Sequence, residues 1–222
     1  MAQPSVIPRS ERRLAMGYAE WLVWSGAHPR SERVDGEAII FLPPSIRRQQ
    51  VVGFLYSLLS WCTRMRALGI VPVAPVEMRL SARASREPNI LFVDSRHLDR
   101  LTPQRLVGPA DLVVEVISDE SVTRDRIEKH AEYAAADVPE YLIVDGRPEQ
   151  ASIEPLRLTA EGIYAPQRPE ADGRLHPSTL PGIWLVLDWV RTNPLPDPLT
   201  GLQAIVPDAI SASLGQTRPS TS

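Results

Sequence analysis

Cysteine and lysine are nearly absent from this sequence: Cys62 and Lys129 are each the only residue of their kind among 222. A lone Cys62 closes no intramolecular disulfide, and there is no cysteine pair to hold zinc. Long apolar runs are missing as well. No stretch approaches the ~18 uninterrupted apolar residues that a spanning helix needs, and MAQPSVIPRSERR at the N-terminus has no apolar segment ahead of its charges, which argues against a signal peptide. The expectation is a soluble cytoplasmic protein with no membrane partner. A positive excess is also lacking: 24 Lys and Arg against 27 acids leave a net charge of −3. That excludes nucleic-acid binding by bulk charge and leaves room for a local patch.

What is present is enough for one core. With 43% hydrophobic residues, a chain of this length buries roughly 70% of its unfolded surface without staples. The 22 prolines fall mostly in short punctuating groups, which reads as turns. Residues 1–9 are expected to be a flexible N-terminus, 10–192 a single domain, and 193–222 a disordered Pro/Ser-rich tail. No internal repeat is visible.

Helical spacing of Leu14, Tyr18, Trp21 and Leu22 predicts a helix over about 10–25. Asp35-Gly36 between two apolar runs predicts a tight hairpin. Ser45 after Pro43-Pro44 should cap a long helix with Val51, Val52, Leu55, Leu58, Leu59, Cys62 and Met65 on its inner face. Past Gly69 the period changes to that of strands, in Val76, Met78 and Leu80 and again from Asn89 to Val93. Asp111 to Ile117 reads as a buried strand. A helix follows to about Ala136, with Thr123 as its cap and Ile127, Ala131, Ala134 and Ala135 inward, and then a strand from Glu140 to Asp145. Strand, helix and strand in about 35 residues make a βαβ crossover with parallel strands.

Glu115 is the residue that most needs a reason. It stands between Val114 and Val116, and a buried carboxylate without a partner is strongly disfavoured. Strand alternation puts Asp111, Val113, Glu115 and Ile117 on one face, the functional candidate, and Leu112, Val114 and Val116 on the other, the core. Asp111 and Glu115 lie about 13 Å apart at roughly 3.3 Å per residue, too far to share one ion comfortably. A metal partner for Glu115 should therefore come from a neighbouring strand, where Asn89 has suitable chemistry, leaving Asp111 to support the site or to serve the strand entry. On the following helix Asp125, Lys129 and Tyr133 are spaced i, i+4, i+8 on one stripe. Lysine, unlike arginine, can lose its proton. A single Lys in a chain biased to Arg must nonetheless stand somewhere, and on composition alone accident is the better explanation.

The segments Gly108 to Ser118, Arg124 to Lys129 with Tyr133, and Val138 to Asp145 closely resemble the Uma2 family of restriction-endonuclease-like proteins. Val34-Asp-Gly-Glu37, Pro43-Pro-Ser45, Arg86 to Val93 and Leu180-Pro-Gly-Ile183 are similar to it too, so the resemblance spans about 15–190. The family is similar to PD-(D/E)XK nucleases. That implies an α/β (α+β) fold, a mixed sheet flanked by helices, with a divalent metal at the strands. The family's Pro-Asp falls on Pro88 and Asn89, its strand Glu on Glu115 and its helix Lys on Lys129, while Arg48 stands where the family often has His. Two residues after Glu115 comes Ile117, so the lysine would arrive from the helix. The implied reaction is endonucleolytic hydrolysis of DNA phosphodiester bonds, with Glu115, Asn89 and Asp111 holding Mg²⁺ or Mn²⁺ and Lys129 positioning or helping to deprotonate water. A second reading rests on Asn89 in place of Asp: a nuclease fold without catalysis, acting as a nucleic-acid-binding or oligomerising module.

The remaining candidates have plainer readings. His28, His97, His130 and His176 show no ligand spacing, and the five Trp fit a core or interface better than a base-stacking platform. Arg12-Arg13 and Arg47-Arg48 could touch phosphate. Glu32, Asp35 and Glu37 suit a turn and surface better than a site. Residues 1–86 carry a net +6 and 87–222 a net −9, a division that fits a nuclease and equally a homodimer pairing opposite surfaces.

Overall fold

The computed structural model describes residues 11–27, 31–41, 43–119, 121–147 and 149–208. The first elements among the described residues are β1 (Glu11–Ala15), α1 (Tyr18–Ser25), β2 (Ser31–Val34), β3 (Glu37–Phe41) and the long α2 (Ile46–Met65). Strands β4 (Gly69–Ile70), β5 (Glu77–Arg79), β6 (Ala84–Arg86), β7 (Ile90–Asp94), β8 (Arg105–Val107) and β9 (Leu112–Ile117) follow. After α3 (Lys129–Ala135) come β10 (Glu140–Asp145), β11 (Ser152–Leu158), β12 (Tyr164–Pro166), β13 (Arg174–Leu175), β14 (Leu185–Val186), α4 (Asp188–Arg191) and α5 (Pro198–Ile205).

Two six-stranded mixed sheets result, in the orders β1-β3-β2-β6-β5-β8 and β12-β11-β10-β9-β7-β4. In the second sheet β9 and β10 pair in parallel, Glu115 opposite Ile143, as the crossover predicts. Every residue of both strands is buried, as expected for parallel strands covered on two faces. Leu112, Val114 and Val116 pack with Leu55, Leu58 and Leu59 of α2 and with Leu202 of α5. Val113 and Ile117 pack on the opposite side with Tyr133 of α3 and with Met78 and Leu106 of the first sheet. The face expected to be the functional one, opposite the core, is thus a second core, and Glu115 lies inside it. Among the described residues no helix is long and apolar enough to cross a membrane.

The hairpin and the long helix form as read. Asp35 and Gly36 both take positive φ, and the Ser45 hydroxyl accepts the Arg48 N–H at 3.2 Å, capping α2. Three expectations are corrected. The first predicted helix is split: β1 pairs in register with β3, and a shorter helix starts only after Gly17. The segment before α3 is not capped by the Thr123 side chain but runs through a π-helical turn, Arg124–Glu128. Its apolar Ile127 is 64% exposed while Arg124, Asp125, Lys129 and Tyr133 are buried. Lastly, residues 193–208 do not form a disordered tail. Asp197 accepts the Leu199 N–H, capping α5 with Pro198 just inside it, and Leu202, Ile205 and Val206 join the core beside α2. The 1–9 segment, the remainder of the tail from 209, and His28 lie outside the described residues.

The docking of α5 can be measured. Leu202→Ala is expected to lower unfolding stability by about 2–3 kcal/mol, the lower part of the range for a buried Leu because the helix lies at the edge of the core. A urea titration checks this, and a loss below ~0.5 kcal/mol would mean that α5 does not hold the domain together.

Candidate active site

Glu115, at 0% exposure, points from the middle of β9 toward the helix that follows. The π turn closes with the Lys129 N–H on the Arg124 carbonyl, an i to i+5 bond of the kind that recurs at functional sites. It leaves Lys129 and Tyr133 over Glu115. Lys129 Nζ stands 2.7 Å from Glu115 Oε1, 3.0 Å from Glu32 Oε1 and 3.4 Å from Asp125 Oδ1. The Tyr133 hydroxyl donates to the same Glu115 Oε1 at 3.0 Å. Glu32 is fixed in turn by Arg86, which also makes a two-pronged contact with Glu132 at 2.6 Å per prong.

Three carboxylates therefore converge on one buried ammonium. Burial opposes the charge on Lys129, but Glu115, Glu32 and Asp125 outweigh it and raise its pKa, so the ammonium keeps its proton. Burial also opposes ionisation of Glu32, and Lys129 and Arg86 overcome it to hold that carboxyl below its ordinary value. For Glu115 burial wins. Desolvation, with repulsion from Asp125 and Glu32, outweighs the pull of Lys129 and pushes the carboxyl up to about 7. Its two oxygens are unlike. Oε1 takes both hydrogen bonds, whereas the buried Oε2 has no hydrogen-bond partner among the described residues.

A cavity of about 330 Å³ opens here, lined among others by Glu32, Arg48, Asn89, Glu115, Arg124 and Lys129. Asn89 Oδ1 accepts the Val116 N–H at 2.7 Å and Arg48 Nη2 at 3.2 Å. Arg48 Nε donates to the Val116 carbonyl at 2.5 Å. Of the four residues predicted from sequence, Glu115, Lys129 and Asn89 are brought together and Asp111 is not. Its carboxylate accepts the Asp94 N–H at 2.7 Å and lies 2.8 Å from His97 Nδ1, holding the turn after β7. Arg47 is structural, its guanidinium bonded to the carbonyls of Gly146, Val190 and Thr192. His130 packs edge-on against Tyr164 rather than toward the cavity.

Glu32 is the main residue that sequence reasoning set aside. The signal was countable. Across the Asp35-Gly36 turn Glu32 pairs with Ile39, and a residue opposite a buried Ile faces the same side.

A divalent ion is the group the fold family implies. Among the described residues no three of His, Cys, Asp and Glu form a ready cage. Mg²⁺, however, usually keeps several waters and takes one or two carboxylates together with substrate phosphates. Glu115 lines the cavity and its Oε2 is unpartnered, which fits that smaller demand, and Glu115 is the residue that would hold such an ion.

A family model described as "Uma2: Putative restriction endonuclease" matches residues 17–188. Among solved structures, the chain is similar to one from Anabaena variabilis titled as a putative nuclease belonging to DUF820. The TM-score is 0.64 at 14% identity, over 79% of this chain and 97% of the other, a likeness of fold. No curated protein matches.

Proposed function

Since the chain belongs to the Uma2 family, we propose that it is a metal-dependent endonuclease that hydrolyses DNA phosphodiester bonds in the cavity at Glu115. The observation that carries this reading is the division of labour on one buried carboxylate, with Oε1 tied to Lys129 and Tyr133 and Oε2 unpartnered. A divalent ion, when bound, supplies charge stabilisation at the scissile phosphate and lowers the pKa of a coordinated water. Lys129 orients Glu115 and presents a fixed positive charge to the phosphate. Its raised pKa makes it a poor proton acceptor, so the positioning role is preferred over the basic one. Glu32 and Arg86 act through Lys129 by holding it in place. Arg124, also at the cavity wall, adds to the positive face.

The purified chain is expected to nick or cut linear, supercoiled or single-stranded DNA with Mg²⁺ or Mn²⁺, and Glu115→Ala is expected to remove that activity. No cleavage of any substrate, or the same rate in both proteins, would end the proposal. One observation favours the second reading, a nucleic-acid-binding or oligomerising module without catalysis. The Asn89 oxygen is committed to Val116 and Arg48, and amide in place of carboxylate brings no negative charge.

A further inference from the structure

The pairing of β7 with β9 ends at Ile90 opposite Val114. An antiparallel ladder would next join residue 88 to Val116, exchanging both of their backbone hydrogen bonds. Residue 88 is proline, which has no N–H to give. The Val116 carbonyl must find another donor, since an unpaired buried backbone oxygen is disfavoured. Arg48 supplies it from the first turn of α2, at 2.5 Å, while Asn89 Oδ1 takes the Val116 N–H. Side chains thus replace the last rung of the ladder.

The consequence lies in where this repair sits. Glu115 Oε2, Asn89 Oδ1 and the Val116 carbonyl are oxygens of residues gathered at or beside one cavity, and a single guanidinium is bonded to two of them. The guanidinium carries a unit positive charge on a planar fork of donors. An ion approaching Glu115 meets a fixed positive charge and finds the neutral oxygens taken.

We propose that Arg48 is the cation that occupies the oxygens of Asn89 and Val116 and competes with a divalent ion for them. Arg48 is on this view a residue that sets ion affinity, and the idea rests on the reading of Glu115 as the ion's ligand. It also predicts that Asn89→Asp alone restores little, because a carboxylate at position 89 would pair with Arg48 before it met an ion.

The test is calorimetric titration of Mn²⁺ into the full chain, without DNA, for the wild type, Arg48→Gln, Asn89→Asp and the double variant. Arg48→Gln should tighten binding at least about tenfold, as removal of a nearby unit charge in a partly solvated site requires. Asn89→Asp should tighten it far more in the Arg48→Gln background than alone. If Arg48→Gln destabilises the Val116 rung, Arg48→Met is the second variant: it also removes the charge and both bonds, so it should likewise tighten Mn²⁺ binding, and wild-type affinity in it overturns the proposal. Arg48→Gln at wild-type affinity, or full gain from Asn89→Asp alone, overturns the proposal. Glu115→Gln separates the two ideas. Should it abolish binding while Arg48→Gln changes nothing, competition fails and the Glu115 reading survives. Should the Arg48→Gln gain persist in a Glu115→Gln background, the ion lies elsewhere and the Glu115 reading fails.

Discussion

Lys129→Met is expected to destabilise the fold by about 3–5 kcal/mol, the range for breaking a buried ion pair by removing one partner. The side chain is nearly the same length and its apolar packing is kept, so the loss isolates the charge. What remains is Glu115, Glu32 and Asp125, all at 2% exposure or less, with Arg86 and Arg124 as the nearest compensation. Glu115, already pushed up by burial, is then driven further toward its neutral form. A carboxyl whose folded pKa exceeds its unfolded value binds protons on folding, so it contributes stability at low pH that disappears as pH rises through the folded value. The defect should therefore be smaller at pH 5 than at pH 8, as read by urea midpoints at both. Lys129→Arg keeps the charge and should cost less, about 1–3 kcal/mol of overpacking. Loss of DNA cleavage in a folded Lys129→Arg protein would mark a role specific to the compact ammonium. Full cleavage would return the solitary lysine to compositional accident.

How far the sequence carries can be judged residue by residue. The Asp35-Gly36 turn, the Ser45 cap and the parallel β9 and β10 were legible because each rests on local chemistry: positive φ, an orphan N–H, a short crossover. Glu115 and Lys129 were legible as oddities, an acid in an apolar strand and a unique residue type. The face of α3 was not. Periodicity follows apolar residues, and it pointed to Ile127 and Ala131 although the buried stripe is Arg124, Asp125, Lys129 and Tyr133. A helix that turns charge inward defeats that rule, and the π turn shifts the stripe further. Segment 11–15 shows the other failure, in which pairing with β3 overrides a helical pattern too short to fix its own structure. Asp197-Pro198 is different again. It is a cap signature in plain view, set in a Pro-rich stretch whose composition by itself points to disorder. Arg48 was beyond reach, since its role depends on a proline 40 residues away that breaks a ladder.

Glu115→Gln should separate function from stability in opposite directions. Gln has the same shape, and its carbonyl oxygen can accept from Lys129 and Tyr133 as Oε1 does, so the fold is expected to survive. On the reading above the variant loses the negative oxygen that would hold the ion, and cleavage should fall by about 10²–10⁴, the usual scale for one essential polar group. Stability should move the other way above neutrality. The buried group holds Glu32, Glu115, Asp125 and Glu132 against Lys129, Arg86 and Arg124, one negative charge in excess, and removing it evens the count. In the wild type, Glu115 titrates at about 7 rather than near its ordinary 4.5. Between those values the folded protein binds a proton that the unfolded chain has lost, so wild-type stability falls as pH rises through the window. Gln does not titrate and escapes that loss. The new amide N–H at the Oε2 position offsets part of the gain, about 1–2 kcal/mol if it finds no acceptor. The expected result is near-equal stability at pH 5 and a variant more stable by about 1–2 kcal/mol at pH 8. Paired melts at the two pH values test it. A Glu115→Gln protein weaker than wild type at pH 8 would mean that the carboxylate is satisfied where it stands, and that its free oxygen is not held in readiness for a ligand.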